Sequence, residues 1–200
     1  MQDKWAKNIS IFFMILAFMG FVYLTVRALD IASKTQIGTD EGFYTSYVSV
    51  SKEIKDKAHT LTKDCTTRLC EVQSVLDYVS HIPYYSETFQ RYSAQKTMAQ
   101  NFGDCDDKSN LLLSLLHALE IEAYFVLVPK HIFVIVPLED NRIAHKKGLW
   151  VNGRKYYILE STAKGSAVGF PLGYTLNDID VIIEPFENKE MKVKSVAFQR

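Results

Sequence analysis

Apolar residues at helical spacing predict helices in the middle of the chain. From residue 70 to 80, three valines and one leucine recur at the spacing of one helix face, and His81-Ile82-Pro83 ends the pattern. An aromatic loop over residues 84–92 follows, and residues 94–100 have the composition of a short helix. Residues 47–62 alternate only weakly between apolar and polar, so this region fits either a strand or a helix.

The strongest helical pattern follows Gly103. Leucines at positions 111, 112, 115, 116 and 119 form a stripe that is wide enough to bury a full helix face. Asp104 is a suitable N-cap, and Asp107 stands at the capping-box position three residues later. The helix is therefore predicted to begin at or beside Cys105.

After this helix the pattern changes to alternate residues, which is typical of strands. The segments concerned are rich in β-branched and aromatic residues, and Asn152-Gly153 between two of them predicts a tight turn. The predicted strands are residues 124–128, 131–136, 149–151, 155–159, 181–183 and 191–198. Helices that lead into antiparallel strands predict an α+β domain.

The N-terminal region has a different pattern. Ile9 to Val26 is an 18-residue run without a charge, with Lys7 before it and Arg27 after it. As a helix it would be about 27 Å long, close to the roughly 30 Å hydrocarbon core of a membrane. The main alternative is a cleaved signal peptide, but the run exceeds the usual apolar length of roughly 7–15 residues and no clear cleavage site follows. A buried core helix would be amphipathic, whereas this run is apolar on all sides.

These patterns divide the chain into four parts. They are an N-terminal tail (1–8), a transmembrane anchor (9–26), a polar stalk (27–46) and one folded domain (47–200). Basic residues lie on both sides of the anchor, so the positive-inside rule does not decide its orientation. A short tail before one large domain favours a single-pass protein with a periplasmic or extracellular domain.

The cysteines bear on the compartment. Cys65 and Cys70 are separated by four residues, and they are either a disulfide or two unrelated buried thiols. A disulfide would place the domain outside the cytosol and leave Cys105 as the odd thiol.

Charge and composition exclude some classes of function. Of the 200 residues, 23 are basic and 23 acidic, so the chain lacks the basic excess expected of a nucleic-acid binder. The sequence contains no paired-cysteine or paired-histidine zinc motif and no glycine-rich phosphate loop.

Three residues are candidates for thiol chemistry. Cys105, at a helix start, would face unpaired backbone N–H groups and the positive dipole end, which favour a thiolate. His131 begins a predicted strand and Glu160 ends another, so they could serve as base and orienting acid. Each also has an ordinary interpretation, as a buried thiol, a hairpin histidine and a strand-end carboxylate.

The segment from Gly103 to Lys108, with the sequence Gly-Asp-Cys-Asp-Asp-Lys, resembles the nucleophile segment of transglutaminase-like cysteine proteins. It is most similar to the bacterial cysteine-proteinase branch of that superfamily. The family then has a histidine on an apolar strand, here His131-Ile132-Phe133-Val134, and an acidic residue that ends a strand before a threonine, here Leu159-Glu160-Ser161-Thr162. The order of these motifs matches the family over about residues 70 to 170.

The resemblance implies a papain-like α+β core, in which the helix that starts at Cys105 packs on an antiparallel sheet. It implies acyl transfer by Cys105, His131 and Glu160, with no required cofactor. Water would release a hydrolysed protein or peptide substrate and an amine would give a cross-link, and the family branch favours proteolysis. The alternative is a non-catalytic, membrane-tethered interaction module in a protein complex, because such folds include catalytically silent members.

Acidic residues crowd the cysteine. Asp104, Asp106 and Asp107 oppose a thiolate at Cys105 unless they act as caps, form salt bridges or hold a hard cation. The resembled branch binds calcium beside its cysteine, which implies Asp104 and Asp106 as calcium ligands. The chain departs from the family at Glu120, where a glycine is usual, and in its short interval between cysteine and histidine.

Overall fold

The computed structural model of the chain describes residues 2–39, 42–86, 92–171, 173–187 and 189–199. Its first helix, α1 (Gln2–Thr35), extends beyond both ends of the predicted anchor. Within α1, Lys7–Leu29 is a mostly apolar stretch of 23 residues, and its side chains are exposed and not buried against the rest of the protein. At 1.5 Å per residue it measures about 35 Å, so by length and composition it could cross a membrane.

A two-stranded antiparallel sheet of β1 (Gln36–Thr39) and β2 (Gly42–Thr45) follows in the region predicted as a stalk. Tyr44, on β2, is only 5% exposed, and its hydroxyl lies 3.3 Å from Asn110 Oδ1. The hydrophobic core therefore includes a residue that precedes the predicted domain boundary at residue 47. The division of the chain into four parts otherwise remains a prediction.

Four helices precede the main sheet. They are α2 (Lys52–Thr62), α3 (Arg68–His81), α4 (Ala94–Gln100) and α5 (Cys105–Ala118), and each has a side-chain N-cap. The last three confirm the predicted helices. In the region over residues 47–62, which fitted either a strand or a helix, the structure has helix α2. Ser51 caps this helix, and buried residues recur at every fourth position, at Ile54, Ala58 and Thr62.

The main sheet is antiparallel throughout and has seven strands among the described residues. They are β3 (Tyr124–Val128), β4 (His131–Val136), β5 (Gly148–Val151), β6 (Arg154–Leu159), β7 (Val181–Glu184), β8 (Lys189–Glu190) and β9 (Val196–Gln199). Their spatial order is β8-β7-β3-β4-β6-β5-β9. Asn152 and Gly153 join β5 to β6 with φ angles of 52° and 82°, which is the geometry of the predicted tight turn.

The two faces of the sheet bury different residues because side chains alternate along each strand. One face packs against the helices; it includes Phe125, Ile132 and Val134, which share a cluster with the leucines of α5. The other face includes Phe133 and Ile135 and is covered by residues from the C-terminal segments. The architecture is the predicted mixture of helices and an antiparallel sheet.

A disulfide joins Cys65 and Cys70 across the connection between α2 and α3. Their Cα atoms are 5.4 Å apart, within the range that a disulfide spans. Cys105 is left as the free cysteine, in accordance with the count of three in the sequence.

Candidate active site

The N-terminus of α5 places Cys105 at the first helical position. Asp104 Oδ1 accepts a hydrogen bond from the Asp107 backbone N–H at 3.0 Å, and the Asp107 side chain accepts one from the Asp104 N–H at 3.4 Å. The predicted capping box is therefore confirmed. Asp107 is buried and also accepts from the Tyr92 N–H at 2.8 Å, so it orders the loop before the cysteine.

A second segment lies along the approach to the cysteine. The Tyr85 N–H donates to the Gly103 carbonyl at 3.0 Å, and the Gly103 N–H donates to the Pro83 carbonyl at 3.3 Å. Between them, Tyr84 is exposed and forms a parallel bridge with Gly103. Partial burial raises the pKa of Tyr84, and the charges of Asp104 and Asp106 add to this effect. Tyr84 therefore lies beside the candidate nucleophile.

His131 and Glu160 are hydrogen-bonded to each other. Histidine Nε2 lies 2.8 Å from glutamate Oε2, and the two side chains are 16% and 4% exposed. The other carboxylate oxygen of Glu160 accepts from the Thr162 N–H at 2.8 Å and from its hydroxyl at 2.5 Å. Burial alone would raise the pKa of Glu160, but the hydrogen bonds from His131 and Thr162 outweigh burial and lower it.

This pair determines which imidazole nitrogen carries the proton. An ionised Glu160 can only accept hydrogen bonds, so Nε2 of His131 must be the donor. In the neutral imidazole Nδ1 is then left as an acceptor, the state that a general base needs. The tautomer is assigned from the partner and not from a located hydrogen.

Ser109 connects the cysteine helix to the strands that carry this pair. It lies one turn after Cys105, on the same face of α5. Its hydroxyl contacts the Ile132 carbonyl at 3.4 Å and the Ser161 hydroxyl at 3.1 Å. These partners directly follow the candidate histidine and glutamate in the sequence, so α5 contacts the residues next to both.

Tyr174 lies beside the pair of His131 and Glu160. Its ring lies parallel to that of His131, with centroids 5.9 Å apart. Burial raises the pKa of Tyr174, and the negative charge of Glu160 raises it further. Tyr174 therefore contacts His131 and lies near Glu160.

The thiol itself is not activated at rest. Burial raises the pKa of Cys105 to about 12, and Asp106 and Asp104 contribute to the rise. Backbone N–H groups at the helix start act in the opposite direction but are outweighed. In the sequence the aspartates oppose the helix terminus; in the structure, desolvation and the aspartates together prevail over the helix terminus.

The predicted calcium ligands are already engaged in other contacts. Asp104 caps α5, and Asp106 Oδ1 lies 3.8 Å from the Cys105 sulfur. Calcium takes about six to eight oxygen ligands. Within the described part of the chain, no three His, Cys, Asp or Glu side chains group in a metal-binding arrangement. The two carboxylates alone do not make up a calcium site, so no chemical step here uses a metal, and calcium binding remains a prediction.

Three residues near the site were not identified from the sequence as candidates. Tyr84 was placed only in an aromatic loop, and Tyr174 carries no local signal because it is distant from every motif. Lys108 is fully buried, and its Nζ donates to the Ser80 and Ile82 carbonyls at 3.3 and 2.8 Å. Burial lowers the pKa of Lys108 to about 8, while Glu160 opposes the change. The sequence feature that could have identified Lys108 is its position directly after Cys-Asp-Asp.

The known structures that are similar to this chain include two of low identity. One is named as a proposed cysteine protease from Cytophaga hutchinsonii, with 18% identity, a TM-score of 0.43, and coverage of 77% of this chain and 55% of that chain. The other is named as a proposed protease from Parabacteroides distasonis, with 13% identity, a TM-score of 0.45, and coverage of 70% of this chain and 27% of that chain. The chain thus spans about half of the first structure and about a quarter of the second.

Comparison of sequences gives a match to one family model. No curated protein matches the chain. Residues 55–133 match the family model described as the transglutaminase-like superfamily. This region contains Cys105 and His131, while Glu160 lies beyond it. Over residues 55–133 the chain is therefore similar to the transglutaminase-like superfamily, in agreement with the resemblance of its motifs at Cys105 and His131.

Proposed function

We propose that this chain is a membrane-anchored, transglutaminase-like cysteine protease or amidase whose catalytic residues are Cys105, His131 and Glu160. One observation carries the proposal: the 2.8 Å contact between His131 Nε2, at the start of β4, and Glu160 Oε2, directly after β6. The residues that follow both, Ile132 and Ser161, contact Ser109 of the cysteine helix. A buried carboxylate that orients an imidazole beside a helix-start cysteine is suited to nucleophilic acyl transfer.

In the proposed first step, His131 Nδ1 accepts the Cys105 thiol proton while the sulfur bonds to an amide carbonyl carbon. Because burial and the aspartates keep the thiol neutral, proton transfer accompanies the attack and does not precede it. The carbonyl π electrons move to oxygen. The backbone N–H of Cys105 has no partner within the helix and donates to this oxyanion.

The second half of the reaction returns the enzyme to its starting state. The carbon–nitrogen bond breaks, and the imidazolium gives its proton to the leaving amine, which leaves a thioester on Cys105. Water then attacks the thioester carbon while His131 accepts a proton. The carbon–sulfur bond breaks, the imidazolium returns the proton to the sulfur, and the products are a carboxylic acid and the free thiol. If an amine takes the place of water the product is a cross-link; hydrolysis is the proposed main outcome.

The proposal also assigns the apolar part of α1, Lys7–Leu29, as an uncleaved membrane anchor. The Cys65–Cys70 disulfide supports a domain on the extracytoplasmic side, where oxidised cysteine pairs persist. We expect alkaline carbonate washing to leave the full-length chain in the membrane pellet. Release into the supernatant at full length would refute the anchor, and release of a shortened chain would favour a cleaved signal peptide.

Alkylation of Cys105 tests the triad without a known substrate, because no other cysteine is free. We expect iodoacetamide to alkylate the wild-type protein faster than His131→Ala, with Glu160→Gln in between. His59→Ala is the matched control, since His59 is exposed on α2 and should leave the rate unchanged.

A peptide library analysed by mass spectrometry tests turnover. Cys105→Ala and His131→Ala should each abolish cleavage, and the double variant should lose no more than either single one, as for groups that serve one step. If the alkylation rates of wild type and His131→Ala agree and no peptide is cleaved, the chain is the non-catalytic interaction module.

A further inference from the structure

Tyr174 is the aromatic residue in contact with the candidate base. The planes of its ring and of the His131 imidazole differ by only 13°, and their centroids are 5.9 Å apart. This is an offset parallel arrangement of the two rings. The His131 side chain is 16% exposed and the Glu160 side chain 4%.

The alternation of β4 explains why this tyrosine and this histidine meet. His131 shares its side of the strand with Phe133 and Ile135, which belong to the core cluster on the face away from the helices. Tyr174 is one of the partly buried residues that pack against the same cluster. Tyr174 therefore lies over the end of this sheet face, at the first residue of β4, His131.

The backbone on both sides of Tyr174 is held in place. Before it, the N–H groups of Gly169 and Phe170 both donate to the Ile158 carbonyl, at 2.9 and 3.2 Å. After it, the N–H and hydroxyl of Thr175 donate to Asp178 Oδ2 at 2.7 and 2.8 Å. These bonds fix the segment to the end of β6 and to the short 3-10 helix at Leu176–Asp178.

We propose that Tyr174 is a positioning residue that covers the His131–Glu160 hydrogen bond against water and holds the imidazole plane. A hydrogen bond shielded from water is electrostatically stronger than an exposed one, so the cover keeps Nε2 as the donor and Nδ1 as the acceptor. The tyrosine acts through the histidine and needs no contact with substrate. The ring provides the cover, so the phenol hydroxyl is dispensable. Its role in turnover rests on the proposed function, but the shielding of the hydrogen bond does not.

Proton exchange at His131 measures the shielding directly. In the full-length chain in detergent, with ¹⁵N-labelled histidine, the Nε2 proton is followed by NMR and assigned by its loss in His131→Ala. In Tyr174→Ala this proton should exchange with water about three- to tenfold faster, a factor that corresponds to the interaction free energy of one aromatic pair. Tyr174→Phe should match the wild type because it keeps the ring. Tyr174→Leu, which keeps apolar bulk without a flat ring, should fall between them.

Tyr124→Ala is the matched control. Tyr124 packs against the same core cluster, but its aromatic partner is Tyr156 and not the histidine. Unchanged exchange in Tyr174→Ala, equal acceleration in Tyr124→Ala, or failure of Tyr174→Phe to match the wild type would each overturn the proposal.

The alkylation rate of Cys105 separates this proposal from the proposed function. If the triad operates, Tyr174→Ala should slow alkylation about three- to tenfold and Tyr174→Phe should restore it. If wild-type alkylation does not depend on His131 but Tyr174→Ala still accelerates proton exchange, the proposed function fails and the positioning role of Tyr174 stands.

Discussion

Gly103→Ala should destabilise the domain and displace its candidate nucleophile. A Cβ atom at Gly103 would lie 2.7 Å from Asp107 Cβ and 3.2 Å from Thr97 Cγ2. The first contact is shorter than carbon atoms tolerate. Asp107 cannot move away easily, because it is buried and its carboxylate accepts hydrogen bonds from the backbone N–H groups of Tyr92 and Asp104. The added methyl group must therefore push the segment before Cys105 away from α5.

The magnitude follows from two contributions. Overpacking a well-packed site costs about 1–3 kcal/mol. Displacement of the segment also weakens the capping box, and the loss of an N-cap costs roughly 1 kcal/mol. We expect the free energy of unfolding to fall by about 2–4 kcal/mol, as the sum of these two costs. Cys105 alkylation should also slow relative to wild type, since the sulfur moves with the segment.

Urea unfolding of the full-length chain in detergent measures the effect, with the midpoint expected to fall and the slope to stay constant. Gly173→Ala is the matched control, because an added Cβ there has nothing within 4 Å. The control should stay within about 0.5 kcal/mol of wild type or gain slightly from a stiffer unfolded chain. If Gly103→Ala and Gly173→Ala unfold at the same midpoint, the close approach of Gly103 to α5 is refuted.

Three further changes test separate parts of the molecule. The pKa of Glu160 is lowered in the folded chain, so the unfolded chain binds more protons when the pH falls below the ordinary pKa of a glutamate. The free energy of unfolding of the wild type should therefore decrease in that acidic range. Glu160→Gln should be less stable than wild type at neutral pH, and its stability should depend less on acidic pH. A profile of equal slope in both proteins would contradict this. Replacing Cys65 and Cys70 together by serine should cost about 2 kcal/mol in thermal or urea unfolding, as expected for a short closed loop, and reducing agent should then have no effect on the variant. Asn110→Ala removes the acceptor of the Tyr47 N–H and should cost about 1–3 kcal/mol, with faster amide exchange at Tyr47; unchanged exchange would show that β2 and the residues after it are held by other contacts.

Local patterns were enough to predict most elements of the domain. β3 and β4 begin and end where the alternation of residues does, and α5 begins where Asp104 and Asp107 predicted its cap. These features depend on neighbours a few residues apart, which the sequence displays directly. The α2 region was ambiguous because its weak alternation fits two periods. Burial of every fourth residue against the rest of the domain decided that it is a helix.

The candidate site shows the same division. Its three residues could be chosen from motifs, because a helix-start cysteine and strand-end polar residues have local signatures. The charge state of Cys105 could not be read from its neighbours alone, since the helix terminus and the aspartates act in opposite directions. Only its burial decides between them, and it raises the pKa of Cys105.

Tyr174 shows most clearly what the tertiary structure decides. It lies more than forty residues from His131 along the chain, and no periodicity or motif relates them. Their contact depends on the pairing of β3, β4 and β7 and on the segment that returns across the second face of the sheet. Helix caps and strand alternation are short-range properties, so the sequence alone determined them. The neighbours of a buried side chain are set by long-range packing, which exists only once the whole sheet has formed.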